Sequence, residues 1–188
     1  MTTSATLSPK RKMTSLASDV EEMLNQQIQM EAGASAFYLS AASWCEQEGY
    51  VGCANFLYAH SDEERAHQMR IFRFVNEVGG RAKAPAIGEQ QANFDSLRQV
   101  FELLLEHEIE VTKSINRLVD YTMAQKDYNT FSFLQWFVAE QREEEVVARR
   151  TLEIFDIIDE RSPAGLWNID KQIGNLVSDK GEDERPAL

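Results

Sequence analysis

Apolar residues recur along this chain at alternating steps of three and four, the spacing that lines up side chains on one stripe of an α-helix. Over residues about 14–47 the stripe reads Leu24, Ile28, Glu31, Ser35, Tyr38, Ala42 and Cys45. Over about 50–78 it reads Leu57, Glu64, His67, Ile71, Phe74 and Val78. A third, about 95–125, carries Leu97, Phe101, Leu104, Glu108, Val111, Ile115 and Leu118, with Asp95 or Ser96 available as N-cap. A fourth, about 128–160, carries Phe133, Phe137, Glu140, Glu144, Val147, Thr151, Ile154 and Ile158. No strand-like alternation competes, so four long helices are predicted. A shorter stripe, Leu166, Ile169, Ile173 and Leu176 or Val177, follows Ser162-Pro163, where proline suits a first helical turn. It predicts a fifth helix over about 163–178, packed at one end of the bundle or against another chain.

The joints set the topology. Breaks at Glu48-Gly49 and Lys126-Asp127 are short, so the first two helices should pack antiparallel, and likewise the third and fourth. Residues 79–94 form a longer break, opening with Gly79-Gly80 and holding Pro85. About fifteen extended residues reach roughly 50 Å, and a helix of about 28 residues is roughly 42 Å long. That segment can cross the whole bundle, which predicts an all-α, antiparallel four-helix bundle with one long crossover between helices two and three. One domain over 13–178 is expected, preceded by a mobile extension at 1–12 and followed by a charged tail at 179–188.

Each of the four stripes is interrupted by a carboxylate: Glu31, Glu64, Glu108 and Glu144. Counted from a turn taken at residue 48, Glu31 and Glu64 lie about seventeen and sixteen residues away; from a turn at 126, Glu108 and Glu144 each lie about eighteen away. At about 1.5 Å per residue, each hairpin holds its two carboxylates at one level. Buried together they would repel, and burial of a single unpaired charge already costs several kcal/mol or neutralises the group. The stripes contain no lysine or arginine to offset them. Two divalent metal ions would supply four positive charges, and His67, three residues after Glu64 on the same face, can share an ion with it. Hard carboxylates with one imidazole suit iron or manganese better than zinc, and iron is the better fit to a dinuclear site with open positions.

Composition narrows the partners. The chain has 188 residues, 43% of them hydrophobic, and a net charge of −12, which disfavours a nucleic-acid partner and favours cations. No apolar run of about 18 residues suggests a membrane span. No apolar core follows Lys10, Arg11 and Lys12 as in a secretory signal, so a cytoplasmic protein is expected. Cys45 and Cys53 read as small buried thiols, and His60 and His107 as surface or core histidines. Taken alone, Glu63, Glu140 and Glu143 read as exposed helix faces, and Tyr38 as a core tyrosine.

Over about 18–178 the chain resembles the bacterial non-haem ferritins. The resemblance rests on Gln29-Met30-Glu31 with Tyr38 seven residues on, Glu63-Glu64-Arg65-Ala66-His67, Glu106-His107-Glu108, and Phe133-Leu134-Gln135-Trp136 leading to Glu140-Gln141-Arg142-Glu143-Glu144-Glu145. It implies a ferritin-like fold and a ferroxidase centre. Glu31, Glu64 and His67 would hold one Fe(II), and a bridging Glu64 with Glu108 and Glu144, beside Gln141, a second. Glu63, Glu140, Glu143 and the shared Glu144 would form a third iron site, and Tyr38 would hydrogen-bond at the centre and donate an electron. The resemblance further implies oxidation by dioxygen or hydrogen peroxide and ferric mineral stored inside a hollow 24-mer, with the fifth helix at its four-fold axis. Bacterioferritins carry a second Glu-x-x-His and a haem-ligating methionine; here those places hold Glu140-Gln141-Arg142-Glu143 and Arg65, so no haem is expected. The acidic residues that line the three-fold channels of animal ferritins are replaced by Phe131 and Leu134. The rival reading is a di-iron oxygenase or peroxidase acting on a separate substrate.

Overall fold

The computed structural model describes the backbone of residues 14–180 and the side chains of 14–176. The expected mobile extension at 1–12 lies outside them, as do residues 181–188 of the tail expected at 179–188; residues 179 and 180 belong to the last helix instead. Five helices follow in order: α1 (Ser18–Glu48), α2 (Val51–Glu77), α3 (Leu97–Ala124), α4 (Tyr128–Ile157) and α5 (Pro163–Lys180). There is no strand among the described residues, and the all-α fold expected from the periodicity is the one observed.

Each boundary has a local cause. α1 stops at Gly49, whose φ of 88° closes a left-handed cap that satisfies the carbonyls of Cys45 and Glu46. Ser96 caps α3 by accepting from the amide of Gln99 at 3.1 Å, and Asp127 does the same for α4 through Thr130. α2 lacks a cap from its own segment. Its missing acceptor comes from α5: the Asp170 carboxylate takes the amides of Gly52 at 3.1 Å and Cys53 at 2.8 Å. Glycine is required at that joint, because a Cβ on Gly52 would stand 2.3 Å from the Asp170 carbonyl oxygen.

α1 packs along α2 and α3 along α4, with α1 against α3 joining the two hairpins. No Cα of α2 comes within 8 Å of one in α4, so a groove remains between those two helices. The crossover runs along the length of α1. Asn25 near its start holds the backbone of Arg81 and Lys83, Ser40 holds Gln91, and Phe94 packs edge-on against Trp44 near its end.

The core is in two halves. One gathers Phe37, Leu57, Phe101, Phe155 and, from α5, Ile169 and Ile173; the other gathers Val20, Ile28, Ile71, Ile115, Leu134 and Phe137. In α4 the buried face is Thr130, Leu134, Phe137, Gln141, Glu144, Ala148, Thr151 and Phe155. Of the expected stripe, Phe137, Glu144 and Thr151 lie on this face, whereas Phe133, Glu140, Val147, Ile154 and Ile158 flank it half-buried. Thr130, Gln141 and Ala148, small or polar, hid the rest of the seam from a count of apolar positions.

Because Asp170 is the one side-chain acceptor at the start of α2 among the described residues, Asp170→Ala should destabilise the fold by about 1 kcal/mol, within the range of lost N-caps. Thermal unfolding followed by circular dichroism checks it; an unchanged midpoint would show that solvent serves those amides equally well.

Candidate metal centre

Between the two apolar halves lies a polar layer. Glu31, Glu64, Glu108 and Glu144 are each at most 2% exposed, one from each long helix. Contacts across the bundle put the two hairpins' carboxylates at one height. The Tyr38 hydroxyl on α1 donates a short hydrogen bond to Glu108 on α3, and the charges of Glu108 and Glu144 both act on Glu64. Ligand atoms of Glu31, Glu64 and His67 lie within 4.8 Å of one another, and His67 Nδ1 is 3.3 Å from Glu64 Oε2.

Two glutamines hold carboxylates in place. Gln27, one turn before Glu31, donates to its Oε1 at 2.8 Å. Gln141 reaches Glu108 Oε2 at 3.4 Å. Gln27 is fully buried and was not anticipated; its signal was a polar residue four positions before Glu31 on a face otherwise filled by apolar ones.

The electrostatics are strained without a cation. Burial raises the Glu31 carboxyl well above its usual range, and the adjacent charge of Glu64 raises it further. Burial likewise raises Glu64, followed by the charge of Glu108. Tyr38 is pushed up by burial and then by Glu108, so its phenol keeps its proton. No lysine or arginine is buried among the described residues. Glu31 Oε2, Glu64 Oε2 and the amide oxygens of Gln27 and Gln141 are buried and accept no hydrogen bond. Orphaned acceptors converging from several helices fit a cation and little else.

Around this nucleus the remaining expected residues divide. Glu63 and Glu140, both half-buried, come together with His67, again within 4.8 Å. Glu63 also joins Glu144 and His60. His60, expected to be an ordinary surface or core histidine, is 4% exposed and turns Nδ1 toward Glu144 at 3.4 Å. Glu143 stands outside these groups: its side chain is 61% exposed and lies 3.4 Å from the Arg142 guanidinium. His107 packs on the ring of Phe37, and burial lowers its pKa. Cys45 and Cys53 are buried, and burial raises both thiols, Cys45 to about 12, which makes them poor ligands and nucleophiles.

A groove of about 980 Å³ between α2 and α4 opens onto His60, Glu63, His67 and Glu140. Its walls mix Phe74, Phe133 and Trp136 with Arg65, Arg70 and Arg73. The Arg70 guanidinium lies 4.0 Å from the Trp136 ring centre.

The family model of the ferritin-like domain matches residues 21–158. A probable bacterial non-heme ferritin-like protein of Haemophilus influenzae is 40% identical over 161 residues, covering 86% of this chain and 97% of the relative. A bacterial non-heme ferritin of Campylobacter jejuni is also 40% identical, over 86% of this chain and 96% of its own length. Among solved structures, an open pore ferritin from Archaeoglobus fulgidus superposes with a TM-score of 0.82 at 40% identity, covering 85% of this chain and 98% of that one.

The raised carboxyls give a signed pH dependence for the metal-free protein. A carboxyl whose folded pKa lies above its unfolded value leaves stability intact below the unfolded pKa and subtracts from it as pH climbs through the folded one. Glu31→Gln removes that ionisation. Its unfolding midpoint relative to the unsubstituted chain should therefore rise from pH 5 to pH 8 in the presence of chelator; a gap constant with pH would mean that Glu31 is not under this strain.

Proposed function

The chain belongs to the ferritin-like family, and on that footing we propose that it is an iron-storing ferroxidase, oxidising Fe(II) to Fe(III) and keeping the product as mineral. The observation that carries this reading is the level of four buried carboxylates, one per helix, with unsatisfied oxygens and no buried cation among the described residues.

In this reading iron is the substrate. Glu31, Glu64 and His67 hold one ferrous ion; Glu64, Glu108 and Glu144 hold a second beside it. Gln27 and Gln141 orient Glu31 and Glu108. Dioxygen takes one electron from each ion and, with two protons, leaves as hydrogen peroxide; with hydrogen peroxide as oxidant the same two electrons give two waters. Carboxylates favour the ferric product over the ferrous reactant because they are hard and anionic. Tyr38, held as a neutral phenol against Glu108, is positioned to supply an electron and a proton together. Hydrolysis of the ferric ions releases further protons, and the mixed acidic walls of the groove lead ions toward and away from the centre. Storage requires an enclosed space, and the family's hollow 24-subunit cage is the assembly we infer, with α5 at its four-fold axis. No helix among the described residues is long and apolar enough to cross a membrane; a cytoplasmic location goes with the reading.

The groove also keeps the oxygenase or peroxidase reading in view, since a substrate could enter it. Its arginines, aspartate and glutamates suit ions better than an apolar substrate. Aerobic Fe(II) added in increments separates the two: storage predicts uptake far beyond three ions per chain, and a plateau at two or three would overturn it.

Glu64→Ala removes the shared ligand and should slow Fe(II) oxidation by more than about 100-fold, above the 10–100-fold typical of lost supporting hydrogen bonds. Its helical signal should be unchanged. Gln141→Leu should fall within that lower range. Stopped-flow absorbance of the ferric product measures both, and a native rate for Glu64→Ala would refute the bridging role.

A further inference from the structure

A metal-binding histidine is ordinarily held in one orientation by a hydrogen bond from its second nitrogen to a carboxylate or a carbonyl. His67 is 4% exposed and turns Nδ1 to Glu64 Oε2 at 3.3 Å, and no hydrogen bond to Nε2 is formed among the described residues. Aromatic rings of α4 hold the imidazole instead. Trp136 meets it at a centroid distance of 5.3 Å and an interplanar angle of 75°, and Phe137 at 6.0 Å and 76°. Those two rings stand 4.8 Å apart and at 89° to each other. Edge-to-face contacts of this kind are directional, so each ring limits the tilt of the next.

Both rings are tied back to α2. The guanidinium of Arg70, one turn after His67, lies 4.0 Å from the Trp136 ring centre, where the electron-rich face attracts the cation. Phe137 packs on Phe133 at 5.5 Å, and Phe133 stacks on Phe74 at 3.8 Å and 6°. No Cα of α2 comes within 8 Å of one in α4, so the joint beside His67 is made of side chains.

We propose that Trp136 is a positioning residue for His67 and that Arg70 holds Trp136 in that role, the pair fixing the imidazole for an ion shared with Glu31 and Glu64. Neither residue supplies a ligand atom, because indole and guanidinium offer donors only. Both act by removing rotational freedom that the imidazole would otherwise lose on binding, which shows as affinity for the ion rather than as the rate of its oxidation. The effect on Fe(II) rests on the ferroxidase reading; the hold on His67 does not.

Zn²⁺ binding to the full chain and Fe(II) kinetics test it together. In calorimetric titration with Zn²⁺, Trp136→Leu should weaken the same binding step that His67→Ala weakens, by about tenfold, the lower end of the range for lost supporting partners. The double variant should bind Zn²⁺ as His67→Ala does, because contacts that act through one residue are not additive. Arg70→Gln, a change at an exposed side chain, should lose about threefold, and Arg70→Lys, which keeps a cation for the ring, should recover most of it. With Fe(II), KM should rise by the same factors while kcat stays within about twofold. Native Zn²⁺ affinity in Trp136→Leu and Arg70→Gln, a Trp136→Leu loss undiminished in the His67→Ala background, or no recovery in Arg70→Lys would overturn the proposal. Zinc affinities shifted as expected in a chain that does not oxidise Fe(II) would uphold the hold on His67 and refute the ferroxidase reading, whereas normal oxidation with unshifted affinities refutes the hold alone.

Discussion

Mutual repulsion of carboxylates in a dry interior is the constraint around which the bundle is organised. Four acidic side chains, each nearly inaccessible to solvent, meet in one layer with no buried lysine or arginine among the described residues. Leaving such groups ionised and unpaired costs several kcal/mol each. The protein meets this cost partly by raising the carboxyl pKa values and partly by aiming glutamine amides at Glu31 and Glu108. Neither measure satisfies every oxygen, and the remaining strain is what supports the proposed binding of cations there.

Holding that layer closed falls to the apolar halves on either side. Each fully buried leucine, isoleucine or phenylalanine contributes about 1.5–3 kcal/mol, and both halves are rich in them. α5 belongs to this arrangement rather than standing apart from it. Ile169 and Ile173 complete one half, Asp170 ties down the start of α2, and the glycine at 52 lets the two backbones meet. The start of α2, the helix that carries His60, Glu63, Glu64 and His67, is therefore held from outside the four-helix bundle.

The four interrupting carboxylates and His67 were legible because each breaks an apolar stripe, and equal distances from the turns put each pair at one level. The crossover was legible from the length of the break after Gly79. Other features were hidden by the same kind of reasoning. α4 buries Thr130, Gln141 and Ala148, residues too small or polar to mark a seam, so the expected stripe caught Phe137, Glu144 and Thr151 but otherwise ran through half-buried neighbours. Gln27 and His60 look like surface residues on any count of hydrophobicity; Gln27 shows only in its spacing to Glu31, and His60 is buried where α4 brings Glu144 opposite it. Glu143 and Glu140 are equivalent as letters, but Glu140 lines the groove half-buried while Glu143 is exposed beside Arg142.

The division of ligand atoms between hairpins bears on the order in which the molecule comes together. Glu31, Glu64 and His67 all belong to α1 and α2, a local pairing across a short turn of the kind that forms early because little chain entropy is lost in closing it. The groups that include Glu144 or Glu140 draw on α4 as well and exist only once the crossover has folded back along α1. If the layer holds iron as proposed, an ion bound by Glu31, Glu64 and His67 would need only the α1–α2 hairpin, whereas one bound through Glu144 or Glu140 would need the completed bundle.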